Sequence, residues 1–384
     1  RTHAEGANML ARAVKPYGGR VIWRCLVYNS QQDWRDNKTD RAAQSYDGFI
    51  GLDGKFDDNV ILQIKNGPVD FQVREPVHPL FGGLKKTNIM LEFQIAQEYT
   101  GQQRHVCYLM PAFKEVLDFD THSGSRYSLV RDIVAGKNSP SSSFGICAVM
   151  NTGSDPNWTG HDLAAANLFG FGALAFDPTL SPEEIAEGWI LLTYGRDELV
   201  LRNMLKILLS SLDAYEKYTA PLGIGWMVNP NHHFGPNVDG YEYDRWGTYH
   251  RASHSAIGRD RSDRGTGYAR QYPEPLFSLY NEVKTCPEEL LLFFHRVRFD
   301  HIMRDGRTLL QRIYSDHFEG ADTAAEFVRL WQELEGRLDG EVYERVLKRL
   351  RFQAEHSTEW RDRINTYFYR LTEIPDALGR KIYE

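Results

Sequence analysis

The chain has 384 residues, a formal net charge of −7 and a charged fraction of 25%, with a pI near 6.0. That balance argues against a dedicated nucleic-acid binder, whose phosphate-tracking surface shows as a basic excess. With 42% hydrophobic residues there is material for more than one core, and two domains are the expectation.

The opening stretch RTHAEGANML has neither an initiator methionine nor an apolar signal core, so the sequence reads as the back part of a longer protein. No segment reaches the roughly 18 to 20 apolar residues of a membrane span. A soluble, cytoplasmic protein is the default expectation, with export left open by the missing front. Cys25, Cys107, Cys147 and Cys286 are widely separated, and three lie in apolar runs. They suggest neither a metal pair nor a disulfide framework and read as core residues.

In chain order, EGANMLARAVKPYGG (5–19) has helical apolar spacing and a terminating Gly-Gly. RVIWRCLVY (20–28), NVILQIKN (59–66), TNIMLEFQIA (87–96) and GICAVMNTG (145–153) are nearly continuous in apolar residues. Such runs predict strands of a parallel sheet buried on both faces, with a further helix over SRYSLVRDIVAG (125–136). After residue 177 the pattern changes. Ser181 is a candidate N-cap, Pro182 sits at the first helical position, and Glu183 and Glu184 suit the positive helix end. Helices are predicted over 286–304, 321–338 and 340–370, with a long aromatic- and His-rich loop over 229–272. The boundary is placed near 178: an α/β part over 1–177 and a helical domain over 178–384.

Functional groups in a parallel α/β barrel gather at the C-terminal strand ends. Lys65 and Asp70 follow the second apolar run, with Gly67-Pro68 forcing a turn between them, and Glu98 follows the third. Arg24 lies in the first strand, while Trp158 and His161 follow the fourth. Taken singly, an aspartate after Gly-Pro most often stabilises its turn, and Glu98 alone reads as a solvated charge. Two adjacent strand ends that each deliver a carboxylate, beside the cations Arg24 and Lys65, suit acid–base hydrolysis of an acidic substrate. Trp158 and His161 fit packing at the rim, with sugar contact by Trp158 as the alternative.

Loop 229–272 carries His232, His233, Tyr241, Tyr243, Trp246, Tyr249, His250 and His254. Zinc sites pair such ligands at tighter spacing, so no metal and no cofactor are expected. Packing between the two parts is favoured for most of the loop, with Trp246 the best candidate for substrate contact. Trp34, in the polar stretch QQDWRDNK, is a candidate for a subunit contact.

The blocks VIWRCLVY, KNGPVDFQVREPVHPLFG, LEFQIAQEYTGQ, NTGSDPNWTGHDLAAANLFGFG and NPNHHFGPNVDGYEYDRWGTYHRA together resemble the bacterial and fungal α-glucuronidases of glycoside hydrolase family 67. The resemblance runs through the whole chain. It implies the second half of a (β/α)8 barrel (residues 1–177) followed by the family's helical C-terminal domain (178–384). It further implies inverting hydrolysis of the α-1,2 bond between (4-O-methyl)glucuronic acid and a terminal xylose, with aldouronic acids and glucuronoxylan oligosaccharides as substrates, and a homodimer. Carried over by motif, Asp70 and Glu98 match two carboxylates on the base side of the bond, and Arg24 and Lys65 match cations around the sugar carboxylate. The family's general acid, a glutamate on an earlier strand, would fall before Arg1; His3 and Glu5 do not match it. A smaller departure is Ala173, where the family pattern leads to arginine. The competing readings are a non-catalytic uronate- or xylan-binding barrel protein and a barrel glycosidase of other specificity.

Overall fold

The computed structural model describes residues 2–27, 36, 38–69, 72–138, 144–151, 157, 160–239 and 248–382. Helix α1 (His3–Val14) begins at a capping box. The Thr2 hydroxyl accepts from Glu5 N–H at 3.2 Å, and the Glu5 carboxylate accepts from Thr2 N–H at 2.9 Å. Pro16 and the left-handed Gly18 end it, and the chain turns into β1 (Val21–Arg24). There follow α2 (Arg41–Phe49), β2 (Val60–Lys65), the single turn α3 (Leu80–Gly83), β3 (Ile89–Gln94), α4 (Met110–Asp118), α5 (Val130–Val134) and β4 (Gly145–Val149). All four strands are parallel, in the order β1-β2-β3-β4, as the apolar runs predict.

The faces of this sheet differ from the expectation of burial in apolar surroundings on both sides. Val60, Leu62, Ile64, Ile89, Leu91 and Phe93 line one face, each no more than 1% exposed. The alternate positions carry Arg24, Gln63, Lys65 and Glu92, and registers Arg24↔Gln63 and Lys65↔Glu92 place them side by side on the other face. Gln63 and Glu92 interrupt the apolar pattern because their polar ends find partners within that face, and Lys65 because it meets Glu75 beyond the end of β2. The nearly continuous apolar character of the runs came from averaging two unlike faces.

Helix α6 (Ala165–Phe176) follows β4, and α7 (Pro182–Tyr194) starts at the expected Ser181. Its hydroxyl accepts from Glu184 N–H at 3.1 Å, and the Glu184 carboxylate accepts from Ser181 N–H at 2.8 Å. After α8 (Glu198–Thr219) come β5 (Ala256–Ile257), α9 (Leu276–Asn281), α10 (Leu291–Phe294), β6 (Val297–Arg298), α11 (Leu309–Gln332) and α12 (Gly340–Thr372). Residues beyond 180 are mainly helical, as expected, but the helix predicted over 286–304 does not form. Only α10 is α-helical there, His295 is extended, and β6 pairs antiparallel with β5. Leu291, Leu292, Phe293 and Phe294 are all buried, so this run has no polar face to leave toward water and is held as a short buried turn. Helix α11 also begins earlier than its pattern suggests, because the Thr308 hydroxyl caps it by accepting from Gln311 N–H at 3.3 Å.

The segment between β3 and α4 joins the sheet to the helices through side chains. Tyr108 N–H donates to Ser211 Oγ on α8, Leu109 N–H to Asn167 Oδ1 on α6, and Val106 N–H to Gln353 Oε1 on α12, each at 2.8 Å. His105 lies between Tyr218 OH and His356, at 2.9 Å from each. Cys25, Cys107 and Cys286 are buried and Cys147 is half-buried, all as free thiols. Among the described residues, no helix is long and apolar enough to cross a membrane.

Asp40 makes a second tie. Its carboxylate caps α2 through Ala42 N–H at 3.1 Å, accepts from Arg261 Nε at 2.7 Å and Thr266 Oγ1 at 2.9 Å, and lies 3.8 Å from Arg259 Nε. Burial raises the Asp40 carboxyl, but Arg261 and Arg259 outweigh it and hold the group at about 2. A depressed folded-state value means that the stabilisation is complete above the ordinary value of 3.8 and is lost as pH falls through about 2. Its size is about 2 kcal/mol. Asp40→Asn should lower the unfolding free energy by about 3 kcal/mol at pH 7, since it strands buried guanidinium charge. Urea unfolding should also show a shallower loss of stability in the variant between pH 4 and 2.

Candidate functional site

The C-terminal ends of β1, β2 and β3 bring Arg24, Lys65 and Glu98 to one end of the sheet. Asp70, Trp34, Trp158 and Trp246 lie outside the described residues. Arg24 donates through Nε and one Nη to the two oxygens of Glu92 at 2.7 and 2.6 Å. This is a bidentate pair in which Glu92 is fully enclosed and the Arg24 side chain is 42% exposed. Gln63 Nε2 donates to the same carboxylate at 2.5 Å. The negative charge of Glu92 is felt nearby: burial and then Glu92 push the Cys147 thiol up to about 11.

Lys65 is ion-paired with Glu75, and both side chains are almost completely enclosed. The second oxygen of Glu75 accepts from Val69 N–H at 2.7 Å, so one carboxylate both neutralises the lysine and fixes the turn after β2. Gly67 makes room for it, since a Cβ there would lie 2.0 Å from the Glu75 carboxyl carbon. Burial, helped by the charge of Lys65, pushes the His78 imidazole down to about 3, and its Nδ1 accepts from Leu80 N–H at 3.2 Å. Farther along the turn, Gln72 Nε2 donates to the carbonyls of Gly223 and Ile224 at 3.0 and 2.7 Å. A small cavity of about 40 Å³ lies against Val69 and is lined also by Asp40, Arg41, Arg251, Arg259 and Arg261, an excess of positive charge.

Glu98 is reached through a tight piece of backbone. Ile95 and Ala96 both donate to the carbonyl of Val149, and Gln97 then takes a left-handed φ of 52°. That conformation is unfavourable for a residue with a Cβ. The buried Gln97 amide supports it, donating to Thr100 O at 3.0 Å and accepting from Asn167 Nδ2 at 3.3 Å. Glu98 emerges with its side chain 43% exposed and one oxygen 3.0 Å from His233 Nδ1. Among the described residues no group of three His, Cys, Asp or Glu converges as a metal site.

Glu75, Glu92 and His233 are the partners that the sequence reading missed. A glutamate inside an apolar strand, as in IMLEFQ, signals a required counter-charge, and Glu92 was legible on that ground. Glu75 and His233 were not, because they come from 10 and 135 residues away.

This arrangement defines a parallel β/α protein whose carboxylates and cations collect at the C-terminal strand ends. The model of the glycosyl hydrolase family 67 middle domain matches residues 1–158, and that of the glycosyl hydrolase family 67 C-terminus matches residues 159–381. The chain is 44% identical over 382 residues to "Probable alpha-glucuronidase A" of Aspergillus niger, covering 99% of this chain and 45% of that protein. It is 45% identical to the protein of the same name from Aspergillus flavus, of which it covers 46%, and 43% identical to "Alpha-glucuronidase A" of Aspergillus tubingensis, of which it covers 45%; 99% of this chain is matched in each case. The chain belongs to glycosyl hydrolase family 67, and it spans a little under half the length of these relatives.

Glu75→Gln should cost about 3 kcal/mol or more of unfolding free energy, because it leaves Lys65 charged and enclosed without its counter-charge. Adding Lys65→Met should recover part of that loss. A double-mutant cycle followed by urea unfolding checks the coupling.

Proposed function

We propose that this chain is part of an inverting α-glucuronidase that hydrolyses the α-1,2 bond between glucuronic acid, free or 4-O-methylated, and the terminal xylose of xylo-oligosaccharides. The observation that carries the reading is the 44% identity, over 99% of this chain, to a relative named for that activity. The part of the relatives that this chain does not span supplies the general acid and the remaining strands, and the four parallel strands are half of a (β/α)8 barrel. The barrel part runs to about residue 177 and the helical domain from 178. The working protein is a homodimer with Trp34 at its interface, and it acts in the cytoplasm.

In this reading Asp70 and Glu98 hold a water on the face of the sugar opposite the leaving group, and one of them takes its proton. Inversion requires roughly 6.5 to 9.5 Å between that base and the acid, leaving space for the water. The exposure of Glu98 supports access of water to its carboxylate. Arg24, half open at the end of β1, suits contact with the substrate carboxylate. Lys65, enclosed and neutralised by Glu75, supports the site from beneath by holding the turn after β2. Trp158 and Trp246 offer ring faces to the sugars.

In the full-length gene product, Asp70→Ala and Glu98→Ala should each lower kcat by about 100-fold or more with little change in KM, because the lost interaction belongs to the transition state. Arg24→Ala should act largely on KM, since the substrate carboxylate is held in ground and transition states alike. Steady-state kinetics on an aldouronic acid, with NMR of the released sugar, checks both, and the β-anomer should appear first. Tight binding of the oligosaccharide without turnover would overturn the reading in favour of a binding protein.

A further inference from the structure

His233 belongs to the helical part, yet its Nδ1 lies 3.0 Å from a carboxylate oxygen of Glu98, which belongs to the sheet part. An ionised carboxylate only accepts hydrogen bonds, so Nδ1 carries the proton and donates it. The imidazole has little freedom. Its ring centroid is 5.2 Å from that of Tyr99 and 5.1 Å from that of Trp226, and those two rings meet edge to face at 4.8 Å. The side chain is only 13% exposed, whereas Glu98 is 43% exposed. The hydrogen bond therefore joins a fixed donor to a carboxylate that would otherwise turn in solvent.

The backbone beneath His233 is shaped for this contact. His233 itself has a left-handed φ of 53°, and Asn231, two residues before it, has 68°. The turn is closed by Asn229 N–H to Gly235 O at 2.9 Å, His233 N–H to Asn229 O at 3.1 Å and Asn229 Nδ2 to Phe234 O at 2.8 Å. Gln102, from the same segment as Glu98, donates to the carbonyl of His232. Phe234 points the other way, into the rings of Phe352 and His356 on α12, with the Arg104 guanidinium 4.5 Å from its centroid. Adjacent residues of one strained turn thus anchor in the helical core and reach to the strand end. Unfavourable backbone that is over-determined in this way recurs at functional sites.

We propose that His233 is a positioning residue: it fixes the carboxylate of Glu98 in the orientation needed to hold and deprotonate the attacking water, so that the helical part sets the geometry of the base. This rests on the reading of Glu98 as a base-side carboxylate. The roles differ, in that Glu98 meets the water and His233 acts only through Glu98.

The test uses the full-length gene product and an aldouronic acid substrate. His233→Ala should lower kcat about 10- to 100-fold, the cost of a loosely placed catalytic group, with KM within about twofold of the parent. His233→Asn, whose Nδ2 reproduces the position of Nδ1, should recover most of that loss, whereas His233→Gln, whose amide extends too far, should not. In the Glu98→Ala background, adding His233→Ala should change kcat by less than about twofold, since the two act as a unit. If His233→Ala does not fold, as judged by its thermal midpoint, the Asn and Gln variants alone carry the comparison. Equal kcat in Asn and Gln variants, or a parent-like kcat in the Ala variant, would overturn the positioning role while Glu98→Ala remains inactive. A Glu98→Ala enzyme with parent-like turnover would instead remove the reading of Glu98 on which the proposal rests.

Discussion

A lysine ammonium enclosed beneath strand ends must meet a counter-charge or give up its proton, and much of the surrounding geometry follows from how Lys65 meets that constraint. Its partner Glu75 comes from ten residues farther along, so the chain must fold back on itself at once. The return path brings the carboxylate against Gly67, where a side chain has no room, and lets it take the N–H of Val69 as well. His78, near the far end of the return, is left neutral, and the Tyr272 hydroxyl closes the path by donating to Val77 O at 2.7 Å. One ion pair thereby ties the end of β2 to the returning segment that carries Glu75.

The same constraint organises the sheet. A parallel strand flanked by helices has one face that only apolar residues satisfy, and Leu62, Ile64, Leu91 and Phe93 fill it. The opposite face carries Arg24, Gln63 and Glu92, linked so that the enclosed Glu92 on β3 accepts from Gln63 on the adjacent β2 and, across that strand, from Arg24 on β1. Charge-assisted hydrogen bonds of this kind fix orientation as well as energy. At the C-terminal end of the sheet both cations, Arg24 and Lys65, are consequently held by glutamates, Lys65 enclosed and Arg24 as exposed as Glu98.

Local chemistry made the strands and the Ser181 cap legible, since each depends on a few consecutive residues, and the parallel pairing followed from the nearly continuous apolar runs. The candidate cations Arg24 and Lys65 and the carboxylate Glu98 were legible as residues at strand ends. Their partners were harder to see. Glu75 and His233 become neighbours only after a chain reversal or a domain contact, and no periodicity marks them. The helix misread over 286–304 failed for a related reason: LLFF looks like a helical stripe, but tertiary packing buries every side of it. Residues whose partners lie far away carry little signal in their own neighbourhood.

His105 accepts or donates to Tyr218 on one ring nitrogen and to His356 on the other, so the segment that carries Glu98 is fastened to a helix 251 residues farther along. A ribosome delivers the chain from its N-terminal end at roughly 5 to 20 residues per second. The sheet can therefore emerge and pair its strands well before its last fastener exists. Until α12 leaves the exit tunnel, the loop after β3 lacks its final anchor. This anchoring is in this way tied to completion of synthesis, and a chain that ended before α12 would carry the segment with Glu98 without the contact between His105 and His356 behind it.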